Sequence, residues 1–202
     1  MAFTLEIPDK SYAGVIFDND GTLADSMPLH FEAWLETVHR QVPGFEWPIE
    51  LFYSLAGMNV HETINRLNAI KGTEFDPYQA EKDKLEIFEQ KSHRVEPIPA
   101  VVNYARELKA KGTPIAVGTG AHRVDAILTL KAIGAHDIFD IVVTQEDVKN
   151  GKPDPETWLL CAEKMGVEPK DCLVLEDGEL GIKAAHILGM DVVRIPHNWR
   201  EV

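Results

Sequence analysis

Residues 17–26 read FDNDGTLADS and follow directly on the apolar run AGVIF of residues 13–17. Two aspartates, Asp18 and Asp20, stand one residue apart where a short strand would end. Like charges this close repel unless a cation sits between them. Gly21 and Thr22 come next, so the chain turns immediately beyond the acidic pair.

Working outward, four further apolar runs resemble the first, at residues 115–117, 141–143, 173–175 and 192–195. They are rich in β-branched residues and do not alternate with polar ones, the pattern of strands buried on both faces of a sheet. Helical stripes lie between the last four: Val101, Ala105 and Leu108; Val124, Ile127 and Leu128; and Trp158, Cys161, Ala162 and Met165. A helix over residues 179–188 ends at Gly189. The alternation predicts an α/β fold, a Rossmann-like parallel sheet with covering helices.

The connection between the first two strands breaks this rhythm. It is far longer than the usual linker of about 4–6 residues, and it is helical. Phe31, Trp34, Leu35, Val38 and Val42 form one stripe, with Ser26 as its N-cap and Pro28 in the first turn. Val60, Ile64 and Leu67 form a second stripe. Leu85 and Phe88 mark a third, more charged helix expected to be solvated over most of its face. The reading is an inserted α-helical cap over residues 25–95, joined by hinges at 22–25 and 95–99 to a core of residues 1–24 and 96–202.

With 202 residues, 45% of them hydrophobic, the chain can bury a full core. A net charge of -13 disfavours nucleic acid or an anionic membrane as partner. The expected partner is a small molecule, bound by a monomer. The two cysteines, Cys161 and Cys172, read as reduced packing residues, and with no signal pattern at residues 1–10 the expectation is a cytoplasmic protein.

In an open parallel sheet, ligands gather beyond the carboxyl ends of the strands. The unusual polar residues fall there one strand after another. Asp18, Asp20, Gly21 and Thr22 follow the first strand; VGTGAHR with Thr119 and Gly120 follows the second; VKNGKPDPE with Lys152 follows the third; LEDGELGI with Glu176 and Asp177 follows the fourth. Four carboxylates at one pole call for a divalent ion, and an all-oxygen donor set suits Mg²⁺ with a substrate phosphate. Thr119 offers a hydroxyl, Gly120 an approachable backbone N–H and Lys152 a point charge to phosphate oxygens. Such a phosphoryl site gives Asp18 the part of nucleophile and Asp20 that of general acid and base.

FDNDGT, VGTG, GKPDPE and LEDGELGI, in this order and spacing, resemble the four motifs of the haloacid dehalogenase-like hydrolases, in the subgroup with a helical cap after the first motif. The resemblance spans nearly the whole chain. It implies Asp18 as nucleophile, Asp20 as general acid/base with its backbone carbonyl on Mg²⁺, Thr119 and Lys152 on phosphate, Asp177 as a metal ligand, and Glu176 acting near the metal through water. Asn19 stands where an apolar residue is commoner, on a side chain expected to point away from the site, and Gly178 replaces a serine. In the cap, His30 matches a position that faces the active site, against the alternative of a surface histidine beside a core Trp34. Lys84 resembles a cap lysine that meets substrate, against that of a solvated lysine. His61 reads as solvated.

AVGTG, VEPIP, CAEKMGV and an acidic pair followed by a non-serine residue are similar to bacterial fructose-1-phosphate/6-phosphogluconate phosphatases. The resemblance implies a Mg²⁺-dependent phosphatase of small phosphorylated sugars or sugar acids. A phosphosugar mutase of the β-phosphoglucomutase type shares core and cap, but residues 56–60, AGMNV, carry no cation for a second phosphate. Asp20 disfavours both a dehalogenase, whose leaving halide needs no proton, and a phospho-receiver, which needs a long-lived phosphoaspartate. Another small phosphometabolite such as phosphoglycolate remains an alternative substrate.

Overall fold

The five apolar runs pair into one parallel sheet in a computed structural model that describes residues 3–200, so Met1, Ala2, Glu201 and Val202 lie outside it. Strand β1 (Gly14–Phe17) leads to a two-residue strand, β2 (Ala24–Asp25). Helices α1 (Met27–Gln41), α2 (Ile49–Ser54), α3 (Val60–Lys71) and α4 (Pro77–Lys91) follow, and then β3 (Glu96–Pro97). Strand and helix alternate from there: α5 (Pro99–Lys111), β4 (Ile115–Gly118), α6 (Arg123–Ala132), β5 (Val142–Val143), α7 (Glu156–Met165), β6 (Cys172–Glu176), α8 (Glu179–Ile187) and β7 (Asp191–Arg194).

The sheet order is β5-β4-β1-β6-β7, with every neighbouring pair parallel. Successive residues of β1 serve opposite layers, which is why its apolar run is unbroken. Val15 and Phe17 pack into the layer holding Val101, Ala105 and Leu108 of α5. Ile16 packs with Trp158 and Cys161 of α7 and with Ala184 and Ala185 of α8. Both cysteines are free and buried. Because β1 is central, with β4 on one side and β6 on the other, the sheet opens a crevice at the carboxyl end of β1, directly beyond Asp18.

The four helices between β2 and β3 gather around Trp34, Val38, Trp47, Phe52, Ile64 and Leu67. Asn59 and Asp76 start α3 and α4 by accepting backbone N–H bonds at 2.9 Å from Glu62 and Tyr78. The chain leaves and re-enters the sheet through β2 and β3, which pair antiparallel, Ala24 against Pro97 and Asp25 against Glu96. Arg200 clamps the crossing, its guanidinium bonding Asp25 at 2.9 Å and Glu96 at 2.6 Å.

Three expectations need correction. Helix α4 is not mostly solvated: Ile87 and Phe88 are fully buried and join the sheet's own hydrophobic layer, with Leu29 and Ala33 of α1. Leu85 is only half-buried. The inward face of α6 is Asp125, Ala126, Thr129 and Leu130 rather than Val124, Ile127 and Leu128, and Val124 is exposed. That helix is rotated because a buried carboxylate on it meets a lysine from α4. Ser26 precedes α1 but makes no capping bond, since its hydroxyl is drawn to Asp20.

Packing between β4 and α7 leaves no spare volume at Gly118. A methyl group there would lie 2.7 Å from the Trp158 ring and 2.9 Å from Cys161 Sγ. Gly118→Ala is expected to destabilise the fold by about 1–3 kcal/mol through overpacking. Urea unfolding checks this as a lower midpoint at unchanged slope.

Candidate active site

Parallel pairing brings the polar segments after β1, β4 and β6 to one edge. Asp18 sits one residue beyond β1, its N–H bonded to Leu175 O at 2.9 Å, so the neighbouring strand fixes where its carboxylate points. Thr119 follows β4 and Asp177 follows β6. All three, with Glu176, are buried.

Lys152 reaches this edge from the loop before α7. Its ammonium donates to Asp18 Oδ1 at 2.5 Å and to Glu176 Oε2 at 2.8 Å, and lies 3.9 Å from the centre of the Trp158 ring. Burial alone would pull its pKa down, but Asp18 and Glu176 outweigh burial and hold it above the ordinary lysine value. Glu176 is anchored from behind, its Oε1 accepting the N–H groups of Asp177 at 3.1 Å and Gly178 at 2.8 Å. Gly181 makes room for it, since a Cβ there would overlap the Glu176 carboxylate.

One lysine does not neutralise three acids. Asp18, Glu176 and Asp177 present oxygens all within 4.8 Å of one another. Burial and the Glu176 charge push both Asp18 and Asp177 well above the ordinary carboxylate range; Lys152 opposes this at Asp18, and Thr22 and Lys152 oppose it at Asp177. Thr22 donates to Asp177 Oδ1 at 3.1 Å. Desolvated oxygen donors crowded beyond what their counter-charge relieves fit a hard divalent cation, Mg²⁺ foremost.

Asp20 lives in a different environment. Its Oδ1 accepts from Ser26 Oγ at 2.6 Å and meets His30 Nε2 at 3.0 Å, both contributed from the segment that opens α1. Burial would raise it, yet the His30 charge and these two hydrogen bonds prevail and bring it down to about 2. Asn19 does not turn away as expected. Its Nδ2 bonds Asp20 Oδ2 at 3.3 Å, which steadies that carboxylate from the other side.

Thr119 Oγ1 accepts the Ala121 N–H at 3.0 Å, and a Cβ at Gly120 would meet Gly57 O at 2.8 Å. The α2–α3 loop thus closes directly onto the β4–α6 loop. A cavity runs from Asp18, Thr119 and Lys152 to Trp34, Phe52 and Met58 beneath the helices, and His30 and Lys84 line it too. His30 is buried and stacks on Phe88 with centroids 4.2 Å apart, so it is not a surface residue. Lys84 is buried and bonded to Asp125 at 2.8 Å, which excludes the solvated reading. His61 is half-buried against Glu81 at 3.1 Å.

Sequence reasoning missed four residues here: Ser26 as a partner of Asp20, Asp125, His122 on the cavity wall, and His197, 3.4 Å from Asp177. Asp125 had a signal, since it stands in phase with Ala126, Thr129 and Leu130 on an inward face. His197 had none, because only the return of the chain after β7 brings it back.

A family model for haloacid dehalogenase-like hydrolases matches residues 15–195. The fructose-1-phosphate phosphatase YqaB of Escherichia coli is 36% identical over 187 residues, covering 92% of this chain and 97% of its own. A phosphorylated carbohydrates phosphatase of Thermotoga maritima is 31% identical over 188 residues, covering 88% of this chain and 82% of its own. A β-phosphoglucomutase structure from Clostridium difficile shares the fold with a TM-score of 0.79 at 24% identity, covering 91% of this chain and 84% of its own.

Mg²⁺ is expected to raise the melting temperature of the protein by several degrees, because an ion that binds the folded state stabilises it by mass action. Asp177→Asn removes one of the crowded charges. It should raise the melting temperature of metal-free protein and abolish the further rise with Mg²⁺, both measured by differential scanning calorimetry.

Proposed function

The chain belongs to the haloacid dehalogenase-like hydrolases and is a phosphatase; we propose that it hydrolyses small phosphorylated sugars or sugar acids, fructose 1-phosphate and 6-phosphogluconate among them, through an aspartyl-phosphate. The observation that carries this reading is the buried Asp18–Lys152–Glu176 cluster at the floor of a cavity roofed by apolar and polar helix residues. The named activities of the Escherichia coli and Thermotoga maritima relatives support the substrate class.

In this reading residues 25–95 are a cap over a core of residues 1–24 and 96–202. Asp18 attacks the phosphorus, and the leaving sugar oxygen takes a proton from Asp20. Water then attacks the phospho-aspartate while Asp20 removes its proton, releasing phosphate. Bonds from His30 and Ser26 keep Asp20 ionised, the state needed in the second half; a substrate that takes over those contacts returns it toward the acid form needed in the first. Thr119, Gly120 and Lys152 hold the phosphoryl oxygens, and the closed roof excludes water. Asp18, Asp177 and the backbone carbonyl of Asp20 would hold Mg²⁺, with Glu176 behind them, and the ion supplies charge against the phosphoryl oxygens.

Residues 56–60 of the roof offer no cation for a second phosphate, which favours hydrolysis over mutase chemistry. Phosphate release across a panel of phosphorylated metabolites, with Mg²⁺ and with excess chelator, tests the proposal. Sugar monophosphates are expected to lead the panel, and chelator to abolish turnover. Full activity in chelator, or faster interconversion of glucose 1-phosphate and glucose 6-phosphate than phosphate release, would overturn it. Asp18→Asn should leave a folded protein with no more than a trace of activity, because an amide does not attack phosphorus. Asp20→Asn should lower turnover of a sugar phosphate by about 10²–10⁴-fold.

A further inference from the structure

The crossing between the sheet and the four helices sets two like charges against each other. Asp25 of β2 stands directly opposite Glu96 of β3 in the antiparallel register. Like charges so placed destabilise a strand pair, and these strands are only two residues long. Arg200 offsets the repulsion from outside the pair. Its Nε donates to Asp25 Oδ2 at 2.9 Å and its Nη2 to Glu96 Oε2 at 2.6 Å. The segment that carries it belongs to the sheet. The Ile195 N–H bonds Glu176 O at 3.0 Å, Trp199 packs against the layer of β1 and α5, and the guanidinium carbon of Arg200 lies 4.5 Å from the centre of the Trp199 ring.

Strand β2 in turn carries the surroundings of Asp20. Ala24 O accepts the Gly21 N–H at 2.8 Å. Ser26, the residue after Asp25, donates its hydroxyl to Asp20 and accepts the His30 N–H on its carbonyl at 2.8 Å. A displacement of β2 therefore moves Ser26 and the start of α1 relative to the Asp20 carboxylate.

Resting on the reading of Asp20 as proton donor, we propose that Arg200 is a positioning residue: by neutralising Asp25 and Glu96 it holds β2 on β3, and through β2 it keeps Ser26 and His30 on Asp20.

Fructose 1-phosphate and p-nitrophenyl phosphate separate this role from a merely structural one. A sugar oxygen needs a proton to leave, whereas p-nitrophenolate leaves without one. Steady-state kcat/KM, which reports the steps up to ester cleavage, is to be measured for both in wild type, Arg200→Met, Arg200→Lys, and Arg200→Met with Glu96→Gln. Methionine keeps an apolar stem beside Trp199 and removes the charge. Arg200→Met is expected to lose about two- to fivefold on fructose 1-phosphate, the scale of an exposed charge pair, and less on p-nitrophenyl phosphate. Arg200→Lys and the double variant should recover the loss, the first by restoring the cation and the second by removing one of the opposed anions. No loss, an equal loss on both substrates, or a loss that Glu96→Gln leaves in place overturns the inference alone. If circular dichroism shows Arg200→Met unfolded, Glu96→Gln must restore the fold, and failure to do so overturns the inference. Asp20→Asn tests the reading beneath it and should lose far more on fructose 1-phosphate than on p-nitrophenyl phosphate. Without that bias Asp20 is not the proton donor, and the reading and this inference fall together.

Discussion

Asp18, Glu176 and Asp177 are buried with oxygens within 4.8 Å of one another, and Lys152 is the cation set among them. Repulsion between desolvated carboxylates is a cost that local contacts do not offset, so the surrounding fold has to hold the cluster together. Parallel pairing of β1 with β6 puts Asp18 beside the Glu176–Asp177 pair, and the bond from Asp18 N to Leu175 O sets its angle. The absence of a side chain at Gly181 leaves space for the Glu176 carboxylate. Strand order, loop length and one glycine all serve the same electrostatic requirement.

Two aspartates one residue apart are driven in opposite directions by their surroundings. Asp18 faces other acids and is pushed up; Asp20 faces Ser26 and His30 and is brought down to about 2. The partners of Asp20 lie at the start of α1, so the state of this core carboxylate depends on where the helical segment sits. Polar bridges across the cavity rim reinforce that link: Lys84 with Asp125, and His122 with Glu81. The apolar layer does likewise, since Leu29, Ala33, Ile87 and Phe88 share the core of the sheet. Opening the helices away from the sheet would expose these side chains and break the bonds to Asp20 together. The seating of these helices and the ionisation of Asp20 are therefore linked by geometry.

The unbroken apolar runs revealed a parallel sheet because strands covered on both faces leave no room for alternation. The four polar segments could be read as one site for a related reason: parallel strands place all their carboxyl ends on one edge, so residues distant in sequence become neighbours by topology alone. Asp18, Thr119, Lys152, Glu176 and Asp177 were legible in this way, each at the end of a strand or in the loop between strands. The roles of side chains on helices were not. The rotation of a helix depends on what it meets, and Asp125 faces inward because a lysine from a helix about forty residues earlier in the chain is there to receive it. Ser26 looked like a helix cap because local sequence cannot weigh a backbone N–H against a distant carboxylate. Asn19 was misjudged for the same reason, since its partner is set by tertiary contact. The sequence by itself determined the sheet, the order of its strand ends and the acids gathered there, because periodicity and topology are properties of the chain. Only the tertiary structure decided which cation meets which carboxylate, because a charge pair depends on side-chain distance and burial.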